Sequence, residues 1–447
     1  MNTTATPSGM RAFSVIWVGQ FLSLLGTGMT RFAITLWAWE MTGQATALAL
    51  VGFFSFAPVI IMSPLAGALV DRWKRRRIVM MLSDGAAGVV TLMYIILSST
   101  GSLELWHLYV GAAFVGTFES FQFPAYSAAI TSMVDKSQYA RTSAMMSLAD
   151  SASGIIAPIA AAALYPLLKL NGILMIDFVT FLIALVTLLI VFIPQGNPSA
   201  HSEGRGSLLT ESLYGFRYIL ARRSLLGLQL VFFFGNFLGS IAFTLSPAMI
   251  LARTGNDEVI LAAVNTAFGV GGLLGGVALS AWGGPKRRIY GVLAGWMLGA
   301  IFGQLLFGLS QSPLLWIGTG LMATLTFPLV NASNQAIWMS KIPPHLQGRV
   351  FSVRRLIAQV TSPLAMLVAG PLADFVFEPM MSQPGPISNA LAPLTGMGPG
   401  VGMGLIIALS GLLTVVVVIV SYSVRAVRNV EDIIPDHVGV APATPSA

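Results

Sequence analysis

Twelve long apolar runs separated by short polar loops decide which solvent this chain folds in. A helix crosses the hydrocarbon core of a bilayer with about 20 consecutive apolar residues. The runs lie at 11–39, 47–70, 78–99, 106–133, 142–168 and 172–193, and again at 224–252, 259–282, 289–310, 314–340, 350–377 and 400–424; they are called spans 1 to 12. Together they use most of the 447 residues, of which 55% are hydrophobic and 9% charged. Soluble proteins carry about 25% charged residues, so three soluble domains of about 150 residues each are excluded. Backbone N–H and C=O groups in lipid must be satisfied within the segment, so the expected fold is all-α, a polytopic membrane protein with twelve transmembrane helices.

Orientation follows from the basic residues. Counting alternate loops, 21 of the 24 lysines and arginines fall on one side, among them Arg11, Arg72 to Arg77, Lys136, Arg141, Arg205 to Arg223, Lys286 to Arg288, Lys341 to Arg355, Arg425 and Arg428. Lys169 and Arg253 fall on the other side and Arg31 within a span. Cytoplasmic loops collect lysine and arginine, which predicts a cell-membrane protein with both termini cytoplasmic. The net charge of +7 is spread over separate short loops that meet anionic lipid headgroups, not over a patch with stacking aromatics, so nucleic acid is excluded as a partner. The start, MNTTATPSGMRAF, lacks the pattern of a cleaved signal peptide, and residues 425–447, polar and proline-rich, are expected to be a disordered cytoplasmic tail.

A weak internal repeat divides the chain. GQFLS at 19–23 resembles GNFLG at 235–239, Phe123-Pro124 matches Phe327-Pro328, Arg141 matches Arg349, and the pair Pro158 and Pro166 matches Pro363 and Pro371. The expected organisation is a six-helix half over 1–193, a cytoplasmic linker with an amphipathic helix over 194–223, and a second half over 224–424. Two similar halves with a site at their interface suit alternating access.

An ionisable residue inside a span is a functional candidate, because burying its charge costs about 2.5–3.5 kcal/mol on insertion scales. The candidates are Arg31, Asp84, Glu119, Asp150 and Asp177. Glu119 lies about 20 Å into span 4 at 1.5 Å per residue and is the first choice for proton coupling. Asp177, near the outer end of span 6 where water reaches it, is another. Polar residues at three- and four-residue spacing share helical faces: Gln20, Ser23 and Thr27 on span 1, Gln122 and Tyr126 on span 4, Asn236 and Ser240 on span 7, and Asn331, Asn334 and Gln335 on span 10. Such stripes face either a cavity or a neighbouring helix. Phe118, Phe121, Phe123, Trp17, Phe21, Trp37, Phe327 and Trp338 on the same spans suit an apolar, aromatic wall for a large lipophilic ligand.

The loop GALVDRWKRRR at 67–77 resembles the signature between helices 2 and 3 of the major facilitator superfamily, and FQFPA at 121–125 with VDKSQYAR at 134–141 is similar to its macrolide-efflux and enterobactin-exporter branch. The resemblance covers essentially the whole chain. It implies that Gly67 allows close helix approach and that Asp71 and Arg72 form a conformational lock trailed by Arg75 and Arg76; Asp84 and Asp150, six to eight residues from the cytoplasmic ends of spans 3 and 5, are expected to join this charge cluster, the alternative being that they meet substrate. Lys74 stands where the family has glycine, and the second-half copy at 275–288 has no acidic residue matching Asp71. Asp71 could cap the N-terminus of span 11, worth about 0.3–1 kcal/mol, although the basic residues also satisfy topology alone. Span 5 keeps Gly154 and Pro158 of an exporter element, and the arginine pattern of many proton-coupled exporters is absent from span 4. Since spans 1 and 4 line the cavity in the family, Arg31 and Glu119 can pair there, as a coupling device or as a permanent structural bond.

Enzyme chemistry finds no support in these residues. There is no cysteine, no phosphate-binding glycine loop, no metal-binding helix, and the four histidines are scattered. No cofactor and no metal are expected. The expected function is secondary active export of a lipophilic or amphipathic, macrolide-like small molecule by proton antiport, acting as a monomer among membrane lipids. A lysophospholipid or siderophore transporter of the same superfamily is the alternative; a membrane-embedded enzyme and a non-transporting sensor are less well matched.

Overall fold

The computed structural model describes residues 9–72, 76–191 and 208–436, and among the described residues there are helices and no strand. Each of the twelve expected spans coincides with helix. Spans 1 to 4 are Gly9–Thr42, Ala45–Arg72, Arg76–Ser99 and Leu105–Met133; spans 7, 8 and 12 are Arg223–Thr254, Glu258–Trp282 and Val401–Ser423. Ten helices among the described residues are long and apolar enough to cross a membrane, and one of these, Lys136–Ile190, is 55 residues long. That length contains spans 5 and 6.

Contacts to span 1 show where this long stretch reverses. Trp17 donates its indole N–H to Met145 O (2.8 Å), Ser153 donates to Leu24 O (3.0 Å), and Gly28 meets Ala157, so numbers rise together and 139–168 runs parallel to span 1. Gly26 packs on Asp177 and Thr180 and Gly19 on Thr187, so 170–190 runs antiparallel to it. The reversal falls at Lys169, whose φ of 54° lies in the left-handed region. A Cβ at Gly26 would stand 2.2 Å from Thr180 Oγ1, so only glycine permits spans 1 and 6 to approach this closely.

The later spans are less regular, and prolines account for two of the breaks. Span 10, Pro313–Lys341, is interrupted at Thr326, two residues before Pro328, whose ring removes a helical N–H. Span 11 begins as Pro344–Leu372 and passes through a π-helical turn, Ala373–Phe377, immediately after Pro371, before closing as Glu378–Ser382. Span 9, Arg288–Leu309, carries a similar turn at Ile301–Leu306, where buried Gln304 accepts from Thr414 Oγ1 of span 12 at 3.0 Å. A short helix, Pro386–Thr395, joins spans 11 and 12.

Outside the spans, the helix Leu208–Leu220 lies within the linker and packs Gly215 against Arg349 and Val353 of span 11. The tail requires a correction. Residues 425–436, expected within a disordered segment, form the short helices Arg425–Arg428 and Val430–Ile433 and bury Val427 and Val430. Lys341, with only 3% of its side chain exposed, donates to Glu431 O and pairs with Asp436 at 2.8 Å, Glu431 accepts from Ile289 N, and Arg287 pairs with Asp432. A buried ammonium without such acceptors would be costly, which ties the segment to spans 9 and 10. Residues 437–447 lie outside the described residues.

The apolar core has an uneven distribution. At the end of the bundle away from the linker, one large cluster joins Phe32, Leu36 and Leu174 to Leu245, Leu251, Ala369 and Ile407, crossing from spans 1–6 to spans 7–12. At the linker end it divides: Ala12, Ile16, Met80 and Leu188 form one cluster within spans 1–6, and Leu225, Leu228, Val292 and Trp338 another within spans 7–12, joined by Tyr218 and Ile219 of the linker helix and Val427 and Val430 of the tail. The two sets of spans therefore share a seam at the distal end and have separate cores at the linker end. There, Ser143, Ala144, Ser147 and Asp150 on span 5 are exposed.

Candidate functional site

Spans 1, 3, 4 and 6 position a set of ionisable and amide side chains between the two ends. Arg31 on span 1 donates through Nη2 to Glu119 of span 4, at 3.1 Å to Oε1 and 3.4 Å to Oε2. The two side chains are 61% and 43% exposed. In a water-filled space a pair so exposed is worth about 0–1 kcal/mol, so it is easily separated.

On the linker side of this pair is a second cluster. Asp84 of span 3 is buried and accepts from Gln20 Nε2 (2.9 Å) and from Gln122 Nε2 (2.6 Å), and Gln122 also reaches Gln20 Oε1 at 3.2 Å. The structure thus places Asp84 with two residues assigned to the substrate cavity. Asp177 also needs correcting: it is buried, not water-exposed, because Thr27 and Thr91 donate to its two oxygens at 3.2 Å each and Gly26 packs against it. Asp150 is exposed on span 5. Gly67, Asp71, Arg72, Arg75 and Arg76 lie outside the residues whose side chains are described.

The stripe on span 10 separates into two faces. Asn331 and Gln335, one turn apart, are exposed, the former donating to Phe327 O and the latter accepting from Arg354 Nη1 at 2.9 Å. Asn334 is buried and accepts the indole N–H of fully buried Trp338 at 2.9 Å. Both therefore drop out of a cavity wall, since a step of one residue turns the side chain by about 100° at 3.6 residues per turn. Tyr126 is half-buried with an unpartnered hydroxyl, and Asn236 is half-buried on span 7. Trp17 and Phe21 stack at 5.6 Å.

At the distal end, contacts that sequence reasoning missed hold the two sets of spans together. Asp374, in the π-helical turn of span 11, accepts from Ala45 N (3.0 Å) and Thr46 N (2.7 Å) in the first turn of span 2, and Trp39 donates to Asn256 Oδ1 at 2.8 Å. Asn256 itself has φ of 72°. Arg253 donates to Ser310 O, Gly400 O and Thr395 O, while Glu378 accepts from Gly400 N and Met403 N at the start of span 12. A cavity of about 500 Å³ lined by Trp39, Gln44, Asn256, Asp374 and Glu378 opens above this seam. The available signal was an acidic residue in the last turn of an apolar run, where it can meet the N-terminus of a neighbouring antiparallel helix.

This arrangement has relatives. Macrolide efflux protein A of Streptococcus pyogenes is 26% identical over 366 residues, 81% of this chain and 89% of that protein. The protein of the same name from Enterococcus faecalis is 25% identical over 72% of this chain and the whole of that protein. A bacterial homologue of the human lysosomal transporter Spinster, solved in an inward-facing, unoccupied conformation, shares the fold with a TM-score of 0.66, 15% identity, and coverage of 92% of this chain and 95% of that one. Residues 16–366 match the description of one family from near the start of span 1 into span 11, and the chain belongs to that family, the Major Facilitator Superfamily of transporters.

Proposed function

We propose that the protein is a secondary active exporter of a lipophilic or amphipathic, macrolide-like small molecule, driven by proton entry. The observation that carries the reading is the divided core: a shared seam at the distal end and separate cores at the linker end. Two halves, 1–193 and 224–424, that rock as bodies about this seam expose a central site to one side at a time. With the basic loops cytoplasmic, the linker 194–223 and both termini face the cytoplasm and the seam faces out, so the conformation described is open to the cytoplasm. The names of the relatives support a macrolide-like cargo.

The roles follow from position. Gln20, Gln122, Tyr126, Asn236, Asn331 and Gln335 offer polar groups to a cargo, the proton enters through a carboxylate within the spans, for which the sequence offers Glu119 and Asp177 beside Arg31, and Asp71 with Arg72, Arg75 and Arg76 locks the cytoplasmic side in the opposite conformation. A proton gradient of one pH unit stores about 1.4 kcal/mol and sustains about a tenfold cargo gradient per proton. The test is erythromycin accumulation in efflux-deficient bacteria expressing the protein, with and without a protonophore. Reduced accumulation that the protonophore restores supports the reading. Unchanged accumulation of erythromycin and of other lipophilic drugs, with the protein confirmed in the membrane, would overturn it in favour of lysophospholipid or siderophore transport.

A further inference from the structure

Three buried or half-buried carboxylates lie on spans 3, 4 and 6, and their partners differ in kind. Glu119 is held by a guanidinium, which has hydrogen-bond donors and no acceptor. A protonated Glu119 would therefore have no acceptor in that partner for its O–H. Asp177 is held by the hydroxyls of Thr27 and Thr91 and lies within the field of Arg31. Asp84 is held by the primary amides of Gln20 and Gln122, each of which has both a carbonyl acceptor and an N–H₂ donor.

From this geometry we infer that Asp84 is the carboxylate that binds and releases the coupling proton, an assignment that rests on the proton-antiport reading above. In the ionised form both of its oxygens accept from amide nitrogens. On protonation, a proton from water forms an O–H bond at one carboxylate oxygen and cancels the charge. Half a turn of the Gln20 amide then presents Oε1 in place of Nε2 as acceptor for that O–H, and it breaks the bond that Gln20 Oε1 accepts from Gln122 Nε2 in the ionised form. On release the O–H bond breaks, its electron pair stays on the carboxylate, and the proton passes to water on the cytoplasmic side. Both states leave the carboxyl itself hydrogen-bonded, and the cost of switching falls on the bond between Gln122 and Gln20. The amide flip is the device that makes the site reversible.

Among the described residues, the charged and titratable groups on the packed elements give Asp84 no direct counter-ion. Arg31 on span 1 is bonded to Glu119 of span 4, Asp177 on span 6 is bonded to threonines, Tyr126 on span 4 has an unpartnered hydroxyl, and Arg77 at the start of span 3 donates to Leu189 O. Gln20 also ties the site to span 1, so loss of charge at Asp84 alters the bond between spans 1 and 3. That couples protonation to the shape of the cavity wall.

The experiment uses the purified full-length protein with erythromycin as probe, reading proton release on binding in a weakly buffered solution and uptake into proteoliposomes driven by a pH gradient. Wild type is expected to release protons and to accumulate the drug. Asp84→Asn is expected to lose both. A wild-type protein that transports erythromycin with no proton release and no gradient dependence overturns the antiport reading itself. A wild-type protein that does both, beside an Asp84→Asn protein that releases as many protons, overturns the Asp84 assignment alone. Should Asp84→Asn not fold, Asp84→Glu decides: a shifted pH midpoint of uptake supports the assignment and an unchanged midpoint overturns it.

Discussion

Asp374 caps the first turn of span 2 from the opposite set of spans, accepting the backbone N–H groups of Ala45 and Thr46. The first N–H groups of a helix have no partner within it, and an anion there also meets the positive end of the macrodipole. The bond must break for the distal seam to part. Replacing a capping residue with alanine costs about 0.5–2 kcal/mol, which for Asp374→Ala shifts the balance toward the distally open conformation by roughly 2- to 30-fold. Because the chain has no cysteine, spin labels at Gln44→Cys and Pro399→Cys report this distance directly. An unaltered distance distribution in Asp374→Ala would count against a latch.

Arg253 should matter more to stability than to switching. Its guanidinium reaches three carbonyls, of Ser310, Gly400 and Thr395, and its field compensates Glu378. A hydrogen bond to a charged group contributes about 1.5–3 kcal/mol, so Arg253→Ala should unfold at a clearly lower temperature in detergent. Arg253→Lys, a single point charge without the fork, should recover only part. Equal melting of all three proteins would refute the argument.

The contact of Gly26 with span 6 predicts overpacking. A methyl at Gly26 would stand 2.2 Å from Thr180 Oγ1 and 3.0 Å from Asp177 Cα, and such strain costs about 1–3 kcal/mol. Gly26→Ala should lower thermal stability by that order, and Thr180→Ala introduced beside it should restore part of the loss. A double variant no better than the single one would show that backbone contact, not Thr180, sets the limit.

The docked tail is predicted to respond to acid. The Lys341 ammonium beside Asp436 holds its carboxyl below the usual aspartate range. A carboxyl whose folded value is depressed contributes its stabilisation above its ordinary value, about 3.9, and loses it as pH falls through the lower folded value. Limited proteolysis of the 430–436 segment should therefore be slow at neutral pH and accelerate below about pH 4, with Asp436→Asn already faster at neutral pH. Protection of that segment independent of both pH and substitution would be inconsistent with docking through Lys341.

Charge was the most legible signal in the sequence. Arg31 and Glu119 stood out because a membrane span tolerates so few ions, and the structure brings them to 3.1 Å. Span positions were legible for the same reason, since lipid demands long apolar helices. What periodicity misjudged was rotation: Asn331, Asn334 and Gln335 looked like one face, yet Asn334 turns inward to Trp338. Asp374 was missed because its role depends on which helix starts beside it, a property of tertiary packing that span 11 alone does not contain. The reversal at Lys169 likewise shows only in the contacts of Trp17, Gly19 and Gly26 with its two arms.

The seam shared at the distal end has a calorimetric consequence. Parting it moves apolar side chains such as Phe32, Leu245 and Ile407 into a wetter setting, and wetting apolar surface raises heat capacity. If an equal apolar seam closes at the linker end in the same step, the two changes cancel and the balance between conformations varies almost linearly with temperature. If it does not, the balance is curved in temperature, and cooling, which weakens apolar association, favours the distally open state. The sign and size of that curvature therefore measure how much dry contact one conformation gives up without the other replacing it.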